Sequence, residues 1–170
     1  MSRETVRAAV QTYLQNAGVT NLSTVFSFPP KLTPEGEFYA GQDPGHQSGA
    51  IIYIWIESQH ETRIELRGAA GGGKMVEYVF ILDCYLRSSH KKVELAAGDN
   101  ESFLDSLVTA IRASKELGAP GVIFQAGEGG MSGGSDVEVT SYYPRNLNGA
   151  AAVTQVYSNI RLQVLEQTVS

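Results

Sequence analysis

The segment KMVEYVFILDCYLR, residues 74–87, alternates in a way that suits a β-strand and no helix. Val76, Tyr78, Phe80, Leu82, Cys84 and Leu86 fall on one face. Glu77, Asp83 and Arg87 fall on the other. The run from Met75 to Leu86 would reach ~40 Å at ~3.4 Å per residue. A globule of this chain's size is itself only ~40 Å across. Such a strand crosses the whole domain or projects from it, and the rest of the fold must be arranged around it.

The remaining elements follow from periodicity. Val6, Val10, Tyr13, Leu14 and Ala17 form one apolar stripe, which predicts a helix over 4–17 with Ser2 as cap and Gly18 as stop. A short strand over 24–28 ends at Pro29-Pro30, and residues 29–49 read as a long loop. AIIYIWIES, 50–58, predicts a central strand buried on both faces, and TRIELR, 62–67, a separate strand, with His60 in the turn between them. A second helix is expected over 100–117, capped by Asp99 or Asn100 and stopped by Gly118 and Pro120; its stripe is Phe103, Leu104, Leu107, Val108 and Ile111. Strands are expected over 121–125, 136–143 and 154–167. The order predicts one α+β domain over residues 1–170, with a mixed, mostly antiparallel sheet packed with two main helices.

Composition limits the function. The chain has 170 residues, 42% of them hydrophobic, enough for one compact domain with a substantial core. A net charge of -5 argues against sequence-independent DNA binding, which needs a basic face. The lone Cys84 can form no internal disulfide, so a reduced compartment is the default expectation; no apolar run suits a signal peptide or a membrane span. Asn21-Leu-Ser23 and Asn100-Glu-Ser102 fit the glycosylation pattern, which matters only in an exported chain.

Four motifs invite a chemical reading. Gly68 to Gly73-Lys74 resembles a phosphate-binding loop, but Met75 stands where a magnesium-holding hydroxyl belongs, and a strand follows instead of a helix. GMSGG, 130–134, matches a nucleophile elbow, yet His46, His60 and His90 all precede Ser132 and another strand follows. HETRI, 60–64, has Ile64 where a zinc-protease helix needs its second histidine. Cys84, on the apolar face beside Asp83, reads as a buried inert thiol. These observations predict no catalytic residues, no cofactor, no metal and no enzyme activity.

What is left points towards assembly. The longest strands exceed the usual ~5–6 residues. The glycine-rich loops 68–73 and 127–134 are too extended to be simple connectors. Arg67, Gly68, Gly71, Gly73 and Lys74 in or beside the first, and Gly127, Glu128, Met131 and Ser132 in the second, are the candidate interface residues.

The opening helix ETVRAAVQTYLQNAGV, then STVFSFPPK and SGAIIYIWIESQHETRIELRG, set a pattern that KMVEYVFILDCYLR, ESFLDSLVTAIRAS, GAPGVIFQAGE and VYSNIRLQVLEQ continue. In element order and texture this resembles the tail-terminator proteins of long-tailed bacteriophages, of the kind found in phages of actinobacteria. The resemblance covers nearly the whole chain, apart from residues 29–49 and the two glycine-rich loops. It implies an α/β sandwich protomer and a homo-oligomeric ring of six subunits in the virion tail or neck, assembled in the host cytoplasm. The ring would sit on the tail tube protein, end tube polymerisation and offer a docking face to the head–tail connector. Genome DNA would pass through the centre without specific binding, and no membrane would be involved. The alternatives are another neck or tube protein, and a small nucleotide-binding or hydrolytic enzyme working through Lys74 or Ser132.

Overall fold

The computed structural model describes residues 1–27, 49–63, 73–88, 90, 92–114, 116–119, 122–123, 137–142, 145–146 and 154–168. Its elements are α1 (Arg3–Asn16), β1 (Leu22–Phe26), β2 (Gly49–Arg63), β3 (Lys74–Ser88), α2 (Val93–Ala113), β4 (Val122–Ile123), β5 (Val137–Ser141), β6 (Arg145–Asn146) and β7 (Thr154–Thr168). This is an α+β fold with a mixed, mostly antiparallel sheet.

β3 organises the sheet. It pairs antiparallel with β2 on one side and β7 on the other, each ladder running from Lys74 to the far end of the strand. β1 adds to β2 in parallel, the one parallel pair described. On the outer edge of β7 lie β6, β5 and β4 in turn, against Thr154–Gln155, Ser158–Leu162 and Leu165–Glu166.

The alternation expected of β3 is realised. Val76, Tyr78, Phe80, Leu82, Cys84 and Leu86 are all buried, and they share one core with Val6, Val10 and Leu14 of α1 and Phe103, Leu104, Leu107 and Ile111 of α2. Ala50, Ile52 and Ile54 of β2 and Val156, Ile160, Leu162 and Val164 of β7 complete it. Within this core one polar link joins helix to sheet: buried Asn100 donates from Nδ2 to Ser158 Oγ at 3.0 Å. Asn100 is therefore placed by α2 inside the protein rather than in an accessible glycosylation site.

Three expectations need correction. Residues 50–58 and 62–67 are not divided by a turn: β2 is continuous to Arg63, and His60 pairs with Glu77. A register shift between Ile56 and Ser58 breaks the pattern, so the end of the apolar run marks a bulge and not a turn. Burial on both faces holds only for Ala50–Ile54; Glu57–Arg63 are exposed. α2 begins at Val93, not Asn100, because the residues expected to cap it are engaged elsewhere: Asp99 accepts from Ser88 Oγ at 2.6 Å, and Asn100 bonds Ser158. Its other end falls at Ala113, before a turn in which Leu117 and Gly118 have φ of 45° and 77°.

Ser2 does cap α1, its Oγ accepting from Thr5 N at 3.2 Å. At Gly118 a Cβ would meet Ala9 O at 3.1 Å and Tyr13 Cβ at 3.0 Å, so this turn needs glycine for both conformation and space. Gly98, inside α2, has open space around it. Thermal unfolding should separate the two. Gly118→Ala is expected to lose about 1–3 kcal/mol, the usual cost of a left-handed non-glycine residue. Gly98→Ala should gain about 0.5–1 kcal/mol, the ordinary advantage of alanine in a helix.

Candidate functional site

The sheet face that points away from the shared core carries a row of aromatic rings. Phe26 of β1 stacks on Tyr53 of β2 at 5.5 Å between centroids. Tyr53 meets Tyr85 of β3 edge-on at 5.6 Å, and Tyr85 meets Tyr157 of β7 at 4.9 Å. Tyr157 stacks on Tyr142, just beyond β5, at 5.0 Å. Cross-strand aromatic pairs each contribute about 0.2–1 kcal/mol over alanine, so the row ties strands together in the direction that hydrogen-bond ladders also bind.

Asp83 is the polar centre of this face. It accepts from Trp55 Nε1 at 2.9 Å, Tyr157 Oη at 2.6 Å and Asn159 Nδ2 at 2.8 Å. Around it, Arg161 Nε donates to Glu57 at 3.1 Å and Gln163 donates to Glu77. Burial, and then the hydrogen bond to Asp83, raise the Tyr157 hydroxyl well above its ordinary value. Burial and the nearby Asp83 charge raise Tyr85 as well. Beside these polar and aromatic groups the face carries buried Ile51, Val79 and Ile81, and its acids Glu57, Glu77, Asp83 and Glu138 outnumber Arg87 and Arg161.

The sheet edges are treated unequally. Along β1, Gln11 Nε2 donates to Val25 O at 2.8 Å, and Gln15 both accepts from Val25 N at 2.7 Å and donates to Ser23 O at 3.3 Å. Two glutamines of α1 therefore occupy edge groups that another strand could use. Arg3 Nη2 extends this guard to Ile56 O at 3.1 Å. From Glu57 to Arg63 the outer edge of β2 has no strand partner among the described residues, and all these residues are exposed.

The sequence-predicted interface residues are only partly within view. Arg67, Gly68, Gly71, Gly127, Glu128, Met131 and Ser132 lie outside the described residues, as do most of the 29–49 segment and the GMSGG stretch. Gly73 and Lys74 are described: Lys74 opens β3, and its ammonium bonds Glu61 across the ladder at 3.2 Å. With both partners nearly half exposed, this pair contributes no more than about 1 kcal/mol.

Possible chemistry can be weighed from geometry. Ser88, His90 and Asp99 come together, but Ser88 Oγ gives its proton to Asp99, and His90 Nε2 is 3.8 Å from that same carboxylate. In a nucleophilic triad the histidine stands between serine and carboxylate; here the carboxylate holds the serine directly. Cys84 is fully buried, and burial followed by the charge of Asp83 pushes its thiol far above the usual range, which disfavours a reactive thiolate. A depression of about 430 Å³ beside α1 is lined by Ala8, Ala9, Thr12, Tyr13 and Gly118. Its one titratable side chain, Tyr13, donates to Ala110 O at 2.7 Å. Among the described residues no three His, Cys, Asp or Glu side chains are placed to share a metal ion. No helix among them is long and apolar enough to cross a membrane.

A scan against protein-family models finds no match, and a search of curated proteins finds no relative.

Sequence reasoning missed Asp83 as a hub, although an aspartate interrupting FILDCYL was the available signal. It missed the buried carboxylate of Glu166, which pairs with the Met1 ammonium and accepts from Tyr78 Oη at 2.8 Å. Nothing in VLEQ distinguishes that glutamate. The raised hydroxyls have a measurable consequence. A tyrosine with its folded pKa above 10.0 stabilises fully below that pH and loses the contribution as pH rises through and beyond it. Urea midpoints should therefore fall between pH 9 and 11, and Tyr157→Phe should make that fall shallower.

Proposed function

We propose that the chain is a ring-forming structural protein of a long-tailed phage virion, a tail terminator built on an α/β sandwich. In this reading a closed ring of copies caps the tail tube, ends its polymerisation and presents its other rim to the head connector. The observation that carries the proposal is the exposed stretch of β2 beyond Ile56, which has no strand partner on its outer edge among the described residues. Along β1 and the first half of β2 the edge groups are taken by side chains of α1, and folded proteins rarely leave a long edge bare unless something protects it or pairs with it.

Two further features support the reading. The face bearing Asp83, Glu57 and Glu77 has more acids than bases, as would suit a channel through which DNA slides without being retained. Ser88 is bonded to Asp99 and Cys84 is buried, an arrangement that fits structural roles for all three.

Electron microscopy of the purified chain, alone and mixed with tail tube subunits, tests the proposal. Closed rings that cap tubes and limit their growth are expected. Long stacks of this chain alone would make it a tube former instead, and a monomer indifferent to tube subunits would overturn the reading. Lys74→Ala should leave ring formation intact, and calorimetry with ATP and magnesium should register no binding.

A further inference from the structure

We infer that neighbouring copies join through their sheets, the bare edge of β2 in one copy pairing antiparallel with the outer edge of β5 in the next. The inference rests on the ring proposed above and names its subunit contact.

Strand direction makes the two edges compatible. β2 and β7 both run antiparallel to β3, and β5 runs antiparallel to β7. β5 is therefore opposed to β2. A copy rotated about an axis lying roughly along the strands presents its β2 to β5 in antiparallel sense, with the helices still on the same side. Among the described residues the outer edge of β5 from Glu138 to Ser141 has no strand partner, and these residues are exposed.

Face and chemistry then select a register. Val139 lies opposite Ile160 and so belongs to the helix-side face; Gln59 lies opposite Tyr78 and belongs to the same face. Placing Val139 against Gln59 sets Glu138 beside His60 and Thr140 beside Ser58, on the other face. An acid beside a histidine and a hydroxyl beside a hydroxyl are complementary cross-strand pairs. Beyond Ser58 the bulge in β2 interrupts this register; past it lie Tyr142 and Trp55, one on each edge and both on the face away from the helices. Trp55, Val139 and Tyr142 are 41%, 42% and 51% exposed, and among the described residues the other large apolar side chains so open are Met1 and Leu95. Three of the five thus flank the two edges, where an aromatic-rich contact would cover them.

The geometry also closes. Val139 is level with Leu82 through Ile160, whereas Gln59 is level with Tyr78, a stagger of four residues. That stagger is about 13 Å, across four strand spacings totalling about 19 Å. The strands would tilt by about 35°, at the lower end of the ~35–45° that closed barrels adopt.

The test is the double variant His60→Cys with Glu138→Cys in the full chain, under mild oxidation. Both sites are exposed and lie at opposite margins of one sheet, and native Cys84 is buried. Opposed residues in an antiparallel pair are close enough for a disulfide. A ladder of covalent oligomers on denaturing gels from the double variant, and none from either single variant, is expected. Cross-linking by His60→Cys alone would show two β2 edges meeting each other and would overturn the inference. Rings visible by microscopy without a ladder would overturn this contact and leave the ring standing. If no closed oligomer forms with or without tube subunits, both fall.

Discussion

The double ladder on β3 is the constraint from which the rest follows. A strand paired along its whole length on both sides has all its backbone polar groups satisfied, so it can run through the centre of the protein. Its alternation then decides the two faces. The even-numbered positions from Val76 to Leu86 collect α1, α2 and the inward residues of β2 and β7 into one core. The odd-numbered positions supply Tyr85 and Asp83 to a face organised by stacking and hydrogen bonds. A one-residue slip between β3 and either neighbour would put Asp83 into the core, so the register is specified by burial and polarity together.

Much of this was legible because it repeats. Alternation in β3 and β7, and the helical stripes Val6–Val10–Leu14 and Phe103–Leu104–Leu107–Ile111, are signals summed over many residues. What could not be read depended on single partners distant in sequence. The stretch Gly98-Asp99-Asn100 looks like a helix start because small polar residues favour caps. Ser88 and Ser158 take those polar groups, and the helix continues through them. Likewise Gln59-His60-Glu61 reads as a turn in isolation, but the Tyr78, Glu77 and Val76 ladder partners hold it extended. Tertiary hydrogen bonds overrode local preference in both places. As for the candidate site, Lys74 was legible as an exposed cation beside a loop, whereas its Glu61 partner, the Asp83 hub and the bare edge needed the strand order.

The aromatic row and the edge guards serve different ends of the same problem. Phe26 to Tyr142 stiffens the sheet across its strands. Gln11, Gln15 and Arg3 remove hydrogen-bonding groups from β1 and the first half of β2. A stiff sheet whose growth is blocked at one place and open at another can add strands only in a chosen direction. Head-to-tail addition of that kind either runs on indefinitely or closes, and the difference lies in the rotation between copies.

Closure of the proposed ring depends on stagger. If β5 stood level with the bare part of β2, joined sheets would have upright strands, a geometry unlike the tilted strands of closed barrels. β5 instead pairs with Ser158–Leu162, while the bare edge stands opposite Met75–Val79 of β3. In the proposed ring this offset would tilt every strand in the same sense as each copy is added. β2 and β3 reach beyond the level of β5, where Val76 and Tyr78 also serve the core, and in the proposed ring the same reach would supply the offset. In that ring the length of KMVEYVFILDCYLR would have a mechanical use: it would carry the joining edge away from the level of its own sheet partner and favour closure over a flat ribbon.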